Sequence, residues 1–243
     1  LFGLRCGVRL MLSLARIDAF YGRAHILAGV SLALAKGEVL ALLGRNGAGK
    51  STTLKTIIGL VPPASGEILF EGRRIDGLPP NRIAQLGIGW VPEDRRIFTD
   101  LTVTENLEVG RQPPREDTPA WTPERLFALF PNLAELRNRS GGLLSGGEQQ
   151  MLTIARTLMG NPKLVLLDEP SEGLAPKVVE QMAETILALK REGLAILLSE
   201  QNLHFARLVA DRASIIEKGR IRYEGTMDAL ARDADVQREY LSA

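Results

Sequence analysis

One cysteine, Cys6, and two histidines, His25 and His204, are the only thiol and imidazole groups in 243 residues. That scarcity excludes an internal disulfide framework and a Cys/His metal site, and makes a reducing compartment the default. Neither sign of charge dominates, since 30 Lys plus Arg against 29 Asp plus Glu leave a net +1. Bulk electrostatics therefore give no support to a nucleic-acid partner, although local basic patches stay open. No uncharged apolar stretch approaches the roughly 18 residues of a membrane helix, so the chain is not expected to cross a bilayer by itself. What is present is ordinary for a globular chain: 45% hydrophobic residues, a mean hydropathy of +0.01 and a length suited to one or two domains. Residues 1–10 precede Met11, and Arg5 and Arg9 break up what would otherwise be a short apolar run. A signal peptide needs an uninterrupted apolar region, so these ten residues are expected to be an extension upstream of a start at Met11.

From residue 12 the pattern alternates between strand and helix. Residues 12–20 and 26–34 carry apolar side chains at strand spacing. Lys36-Gly37 turns into the short apolar run 39–43, and residues 68–70 and the region of Ile75 flank Glu71-Gly72 as a hairpin. Further short runs at 88–91, 164–167, 194–198 and 213–216 are separated by helical stretches, which predicts an α/β fold whose mostly parallel sheet is covered on both faces. Pro113, Pro114, Pro119 and Pro123 mark residues 111–123 as a surface loop, and the middle third reads as a separate helical lobe.

Three motifs carry chemistry. Gly44-Arg45-Asn46-Gly47-Ala48-Gly49-Lys50-Ser51 fits G-x-x-x-x-G-K-[ST], ends an apolar strand and leads through Thr52 into a plausible helix over 51–58. Its backbone N–H groups and helix N-terminus suit phosphate oxygens, Lys50 would reach the β- and γ-phosphates, and the Ser51 hydroxyl would ligate Mg²⁺. The plain alternative is a glycine-rich turn. Leu164-Val165-Leu166-Leu167-Asp168-Glu169-Pro170 is a buried strand that delivers two acids to the sheet edge where open α/β folds bind ligands. Asp168 suits Mg²⁺ and Glu169 a general base; the alternative is that they only cap a strand. Leu144-Ser145-Gly146-Gly147-Glu148-Gln149 begins a helix with a Ser145/Glu148 capping box, followed by Met151, Ile154, Ala155 and Leu158 on one face. Any helix can begin so, but Gly146 and Gly147 in the first turn weaken it by up to about 1 kcal/mol each, a cost that close approach of an anionic ligand to bare backbone would explain.

The order of these three motifs resembles the ATP-binding cassette (ABC) ATPases from about residue 12 to the C-terminus, and LSGGEQ between two nucleotide motifs is highly specific for them. The resemblance implies a P-loop NTPase core with a mostly parallel sheet, an N-terminal antiparallel β subdomain and an inserted helical subdomain at about residues 93–160. It implies ATP and Mg²⁺ as ligands and a head-to-tail dimer with a second ABC ATPase subunit. Each nucleotide would then lie between the phosphate loop of one subunit and Ser145, Gly146, Gly147 and Gln149 of the other. Tyr21 would stack on adenine; otherwise it is a core aromatic at a strand end. Trp90-Val91-Pro92-Glu93-Asp94-Arg95-Arg96-Ile97-Phe98, Glu172-Gly173-Leu174-Ala175-Pro176 and Ser199-Glu200-Gln201-Asn202 resemble the smaller ATPase subunit of branched-chain amino acid importers. That likeness implies permease subunits, an indirect link to an extracytoplasmic binding protein, and a place on the cytoplasmic face of the membrane.

Three residues depart from the general cassette pattern: Glu93 replaces the glutamine that senses Mg²⁺ and the γ-phosphate, Ala175 replaces an aspartate, and Gln201 stands at the switch-histidine position. Hydrolysis asymmetric between the two sites is one consequence they raise. His204 is expected to be a partly exposed helix residue, with Phe205, Leu208 and Val209 supplying the buried face. Arg95 and Arg96 belong either to a solvated loop or to a contact with a membrane subunit. Two other classes stay open, a soluble ABC ATPase and a non-catalytic regulatory subunit, as do urea, amides or other amino acids as cargo.

Overall fold

A computed structural model describes residues 9–116 and 118–241. The first eight residues of the presumed extension, Cys6 among them, lie outside the described residues. The strands are β1 (Leu10–Tyr21), β2 (Ala24–Ala35), β3 (Val39–Leu43), β4 (Ser65–Phe70), β5 (Arg73–Arg74), β6 (Ile88–Val91), β7 (Leu164–Asp168), β8 (Ala195–Glu200), β9 (Arg212–Glu217) and β10 (Arg220–Thr226). The helices are α1 (Lys50–Ile57), α2 (Pro80–Leu86), α3 (Val103–Gly110), α4 (Pro123–Leu129), α5 (Pro131–Glu135), α6 (Gly146–Leu158), α7 (Pro176–Arg191), α8 (Leu203–Val209), α9 (Met227–Arg232) and α10 (Ala234–Tyr240). β1, β2, β4 and β5 make an antiparallel sheet in the order β2-β1-β4-β5, and the others a second sheet in the order β10-β9-β3-β8-β7-β6. In that sheet every pairing is parallel except β9 with β10.

Side-chain alternation decides what each face of the second sheet covers. Leu164 and Leu166 of β7, Ala195 and Leu197 of β8, and Leu40 and Leu42 of β3 join a core with α1 and the antiparallel sheet. Val165, Leu167, Ile196, Leu198 and Val39 point the other way, into a core shared with α3–α7. The helices of the middle third thus have no separate core: α6 packs on β6 as well as on α3 and α5. Full burial of each of these Leu, Ile and Val side chains stabilises the fold by roughly 1.5–3 kcal/mol.

Two local features differ from the pattern reading. β10 has no apolar run, because it is an edge strand with alternately exposed and half-buried residues, and its periodicity is masked by Arg220, Arg222 and Glu224. The Glu71-Gly72 hairpin is present, with φ of 49° and 78° as a two-residue turn between twisted strands requires, but its second strand is only Arg73–Arg74. The proline-rich loop is irregular, and it is pinned from below: Arg115 donates to the carbonyls of Ala84, Gln85, Gly160 and Asn161, and the Asn161 side chain accepts from the Trp121 N–H.

Candidate active site

The phosphate loop runs from the end of β3 to the start of α1. Gly47 has φ 75° and Gly49 φ 115°, and a side chain at position 49 would press on Leu27 and Ile216 at 3.0 and 3.2 Å. Only glycine meets both demands. No side chain caps the start of α1 and no acid lies in its first turn, so its N-terminal N–H groups and dipole remain available to an anion. Lys50 is 3% exposed; its ammonium donates to the carbonyls of Gly44 at 2.8 Å and Arg45 at 3.1 Å and lies 3.0 Å from Glu169 Oε1. Arg45 and Asn46 are exposed on the rim, while Ala48 and Thr52 are buried beneath it.

Strand parity brings the acids to this loop. Leu164, Leu166 and Asp168 share the β7 face that covers α1, and Asp168 pairs in register with Ser199 of β8. Asp168 Oδ1 therefore accepts from Ser51 at 2.9 Å and from Ser199 Oγ at 2.7 Å. A serine hydroxyl beside a buried carboxylate is an oxygen donor set suited to a hard cation, and these two residues fit Mg²⁺. The chain then turns sharply: Glu169 has φ 46°, its N–H donates to the Ser199 carbonyl and hydroxyl, and its side chain swings to Lys50. Gln201 Nε2 donates to Glu169 Oε2 at 2.7 Å. Burial alone would raise the Glu169 pKa, but hydrogen bonds from Gln201, Glu172 and Lys50 together with the Lys50 charge hold it below the usual value. Glu172 is pushed the other way, up to about 7, by its hydrogen bond to Glu169, by burial, and by the charges of Glu169, Glu93 and Glu200. Glu93 is exposed and reaches the cluster only through its charge, with no hydrogen bond or ion pair to Ser51 or Asp168 among the described residues.

The motif at Ser145 is elsewhere. Ser145 Oγ accepts from the Glu148 N–H and the Glu148 carboxylate from the Ser145 N–H, which completes the expected capping box. With Gly147 and Glu148, Ser145 lines a groove beside α5 and α7 that includes no phosphate-loop residue. A Cβ at Gly147 would lie 2.8 Å from Val178 Cγ1, so packing within the chain accounts for that glycine. At Gly146 the nearest atoms all belong to the Arg95 guanidinium, 2.6 Å away at Nη1, a flexible side-chain end that can shift, so packing alone does not explain a glycine there. Gln149 donates to the carbonyls of Gly141 and Leu144, holding the turn that leads into α6. Tyr21 is 48% exposed at the end of β1, which removes the core-aromatic alternative, and the neighbouring Phe20 stacks on His25.

The expected buried face of α8 needs one correction. Phe205, Ala206 and Val209 are buried, but Leu208 is 47% exposed, because it lies one residue off that stripe. His204 is exposed. Arg95 rests on Gly146, whereas Arg96 pairs with Asp94 and lies over Trp90. Ser199, Glu200 and Glu172 are site residues that motif reading passes over; polar residues ending the apolar run 194–198 were the available signal.

The family model described as "ABC transporter" matches residues 27–172. The chain is similar to a high-affinity branched-chain amino acid transport ATP-binding protein of Pseudomonas aeruginosa, 46% identical over 95% of this chain and 99% of that one. It is also similar to a lipopolysaccharide export system ATP-binding protein of Haemophilus influenzae, 38% identical over 91% and 92%. Among solved structures it resembles an ATP-binding cassette of an ABC transporter in its ADP conformation, with TM-score 0.79 and 29% identity over 93% and 96% of the two chains. A dimeric bacterial ABC transporter cassette aligns with TM-score 0.77 and 26% identity over 89% and 99%. With a phosphate loop, a strand-end acid pair and a capped LSGGEQ helix on one cassette-like fold, the chain belongs to the ABC transporter family as one of its ATP-hydrolysing subunits.

Proposed function

We propose that this ATPase powers a membrane importer for branched-chain amino acids. The observation that carries the reading is the 46% identity, across nearly both chains, to an ATP-binding protein of branched-chain amino acid transport; the lipopolysaccharide-export relative stands at 38%. Residues 12–243 act as one cassette with a helical lobe at about 93–160. Tyr21 stacks on adenine, and the loop from Gly44 to Thr52 wraps the phosphates. A second cassette, a copy of this chain or a paired ATPase, presents Ser145, Gly146 and Gly147 to the terminal phosphate, and Gln149 supports that helix start.

On nucleotide binding Lys50 exchanges Glu169 for β- and γ-phosphate oxygens. The freed Glu169 carboxylate, held by Gln201, accepts a proton from the water that attacks the γ-phosphorus in line with the departing ADP. Ser51 and Asp168 would hold Mg²⁺, with the exposed Glu93 as a further candidate oxygen donor, and the ion would supply Lewis-acid neutralisation of the phosphate charge. Lys50 stabilises the same charge.

Outside the site, Trp90, Phe98, Val109 and Arg156 line a groove between α2, β6, α3 and α6 in which Phe98 and Val109 are about half exposed. This groove is the seat proposed for a cytoplasmic helix of a permease, with Arg96 at its edge. The permease places the ATPase on the cytoplasmic face, and an extracytoplasmic binding protein delivers the cargo. Deleting the gene and measuring uptake of labelled leucine, isoleucine and valine tests the assignment. Loss of uptake together with co-purification of a permease is expected; normal uptake with a lipopolysaccharide-transport defect would assign the chain to export instead.

A further inference from the structure

Glu200 ends β8 as a carboxylate only 2% exposed, with no cation pairing it among the described residues. A buried carboxylate without a counter-cation is an unfavourable occupant of a core position, and the mechanism above gives it no task. Its surroundings are specific. Oε1 accepts from the Ser171 N–H at 3.1 Å, Oε2 accepts from the N–H groups of Gln201 and Asn202, both at 3.2 Å, and the Ser171 hydroxyl also donates to the carboxylate. Its backbone carbonyl accepts from the Gly44 N–H at 3.3 Å. Burial pushes the carboxyl up, while the Ser171 and Asn202 donors oppose that rise.

Strand parity explains the placement. Ser199 faces Asp168, so Glu200 continues the opposite row of Ile196 and Leu198 and meets the loop that leaves β7. One residue thus fastens the start of the phosphate loop, the turn after Glu169 and the segment carrying Gln201. Gln201 in turn holds Glu169 at 2.7 Å. We propose that Glu200 is a positioning residue for ATP hydrolysis, clasping residues 171 and 201–202 together so that Gln201 keeps the Glu169 carboxylate aligned for attack.

The inference rests on the roles given above to Glu169 and Gln201. Glu200→Gln is nearly isosteric, yet its amide NH₂ must face backbone N–H donors on one side, so one half of the clasp opens. Turnover of the full chain should fall about ten- to a hundredfold, as expected for a displaced catalytic group, while the affinity for β,γ-imido-ATP with Mg²⁺ stays within about twofold. Because Glu200 acts through Gln201, the Glu200→Gln/Gln201→Ala double variant should turn over within about threefold of Gln201→Ala alone. Unchanged turnover in Glu200→Gln, or full multiplication of the two losses, overturns the proposal. If Glu200→Gln does not fold, Ser171→Ala removes only one donor; it should lower turnover about three- to tenfold with the same non-additivity, and a silent Ser171→Ala overturns the proposal. Wild-type protein without ATPase activity, or Glu169→Gln with normal turnover, would overturn the site assignment itself. A Glu169-dependent ATPase indifferent to Glu200→Gln overturns Glu200 alone.

Discussion

At the scale of single residues the site is a competition for charge. Lys50 and Glu169 neutralise each other at 3.0 Å, so a nucleotide must replace one carboxylate with phosphate oxygens, and that exchange releases the carboxylate it needs as a base. Glu172 adds a second carboxyl whose proton is shared with Glu169 and whose pKa is raised to about 7. The folded protein therefore holds that proton more tightly than the unfolded chain, where the group titrates near 4.5. Its contribution to stability is complete below that value and is lost as the pH rises through about 7. Glu172→Gln should remove this dependence: between about pH 5 and about pH 8 the wild-type Tm should fall relative to that of the variant, and parallel Tm curves would contradict it. The wild-type turnover profile should likewise have an inflection near pH 7 that the variant lacks. Lys50, Ser51, Asp168 and Glu169 were legible because each sits inside a motif of fixed spacing. Glu172, Ser199 and Glu200 were not, since their importance comes from strand register and from a turn at Glu169 with φ 46°; the polar residues that end the apolar run 194–198 are the one local trace along the chain.

At the scale of elements, the strands buried on both faces and the capped helices were readable, because apolar runs and capping boxes are local. α6 begins at Ser145 with both reciprocal bonds of its box. The edge strand β10 and the sharing of one core between β6–β8 and α3–α7 were not, because both depend on which elements become neighbours. Besides the shared core, one turn hydrogen-bonds the two sheets together. Gly219, with φ 73°, accepts from the Ala28 N–H at 2.9 Å and donates to the Ala48 carbonyl at 2.8 Å, tying β2, the β9–β10 turn and the phosphate loop. A Cβ there would lie 2.0 Å from the Ile26 carbonyl. Since both sides of that clash are backbone, Gly219→Ala should destabilise the fold by about 3 kcal/mol. Thermal unfolding should show a Tm lower by roughly 6–12 °C, with weaker nucleotide binding through the displaced Ala48; a Tm within about 2 °C of wild type would contradict this joint.

At the scale of the whole molecule, the half-sites are separate within one chain. Lys50, Asp168, Glu169 and Gln201 converge at the end of the parallel sheet, whereas Ser145 and Gly147 face a different groove. In the proposed function Ser145 joins the phosphates only across two cassettes, a reading that the likeness to a dimeric cassette supports. The near-neutral charge is consistent with a partner that is a protein groove-filler rather than a polyanion. No described helix is long and apolar enough to cross a membrane, so the proposed transport function requires separate permease subunits that the ATPase drives. In the proposed mechanism Glu169 is the base acting on a nucleotide held by Lys50. The most direct test is steady-state ATP turnover of Glu169→Gln beside wild type, with nucleotide binding measured on the same samples. Turnover should fall by about 10² to 10⁴-fold while ATP binding survives; turnover equal to wild type would contradict the account.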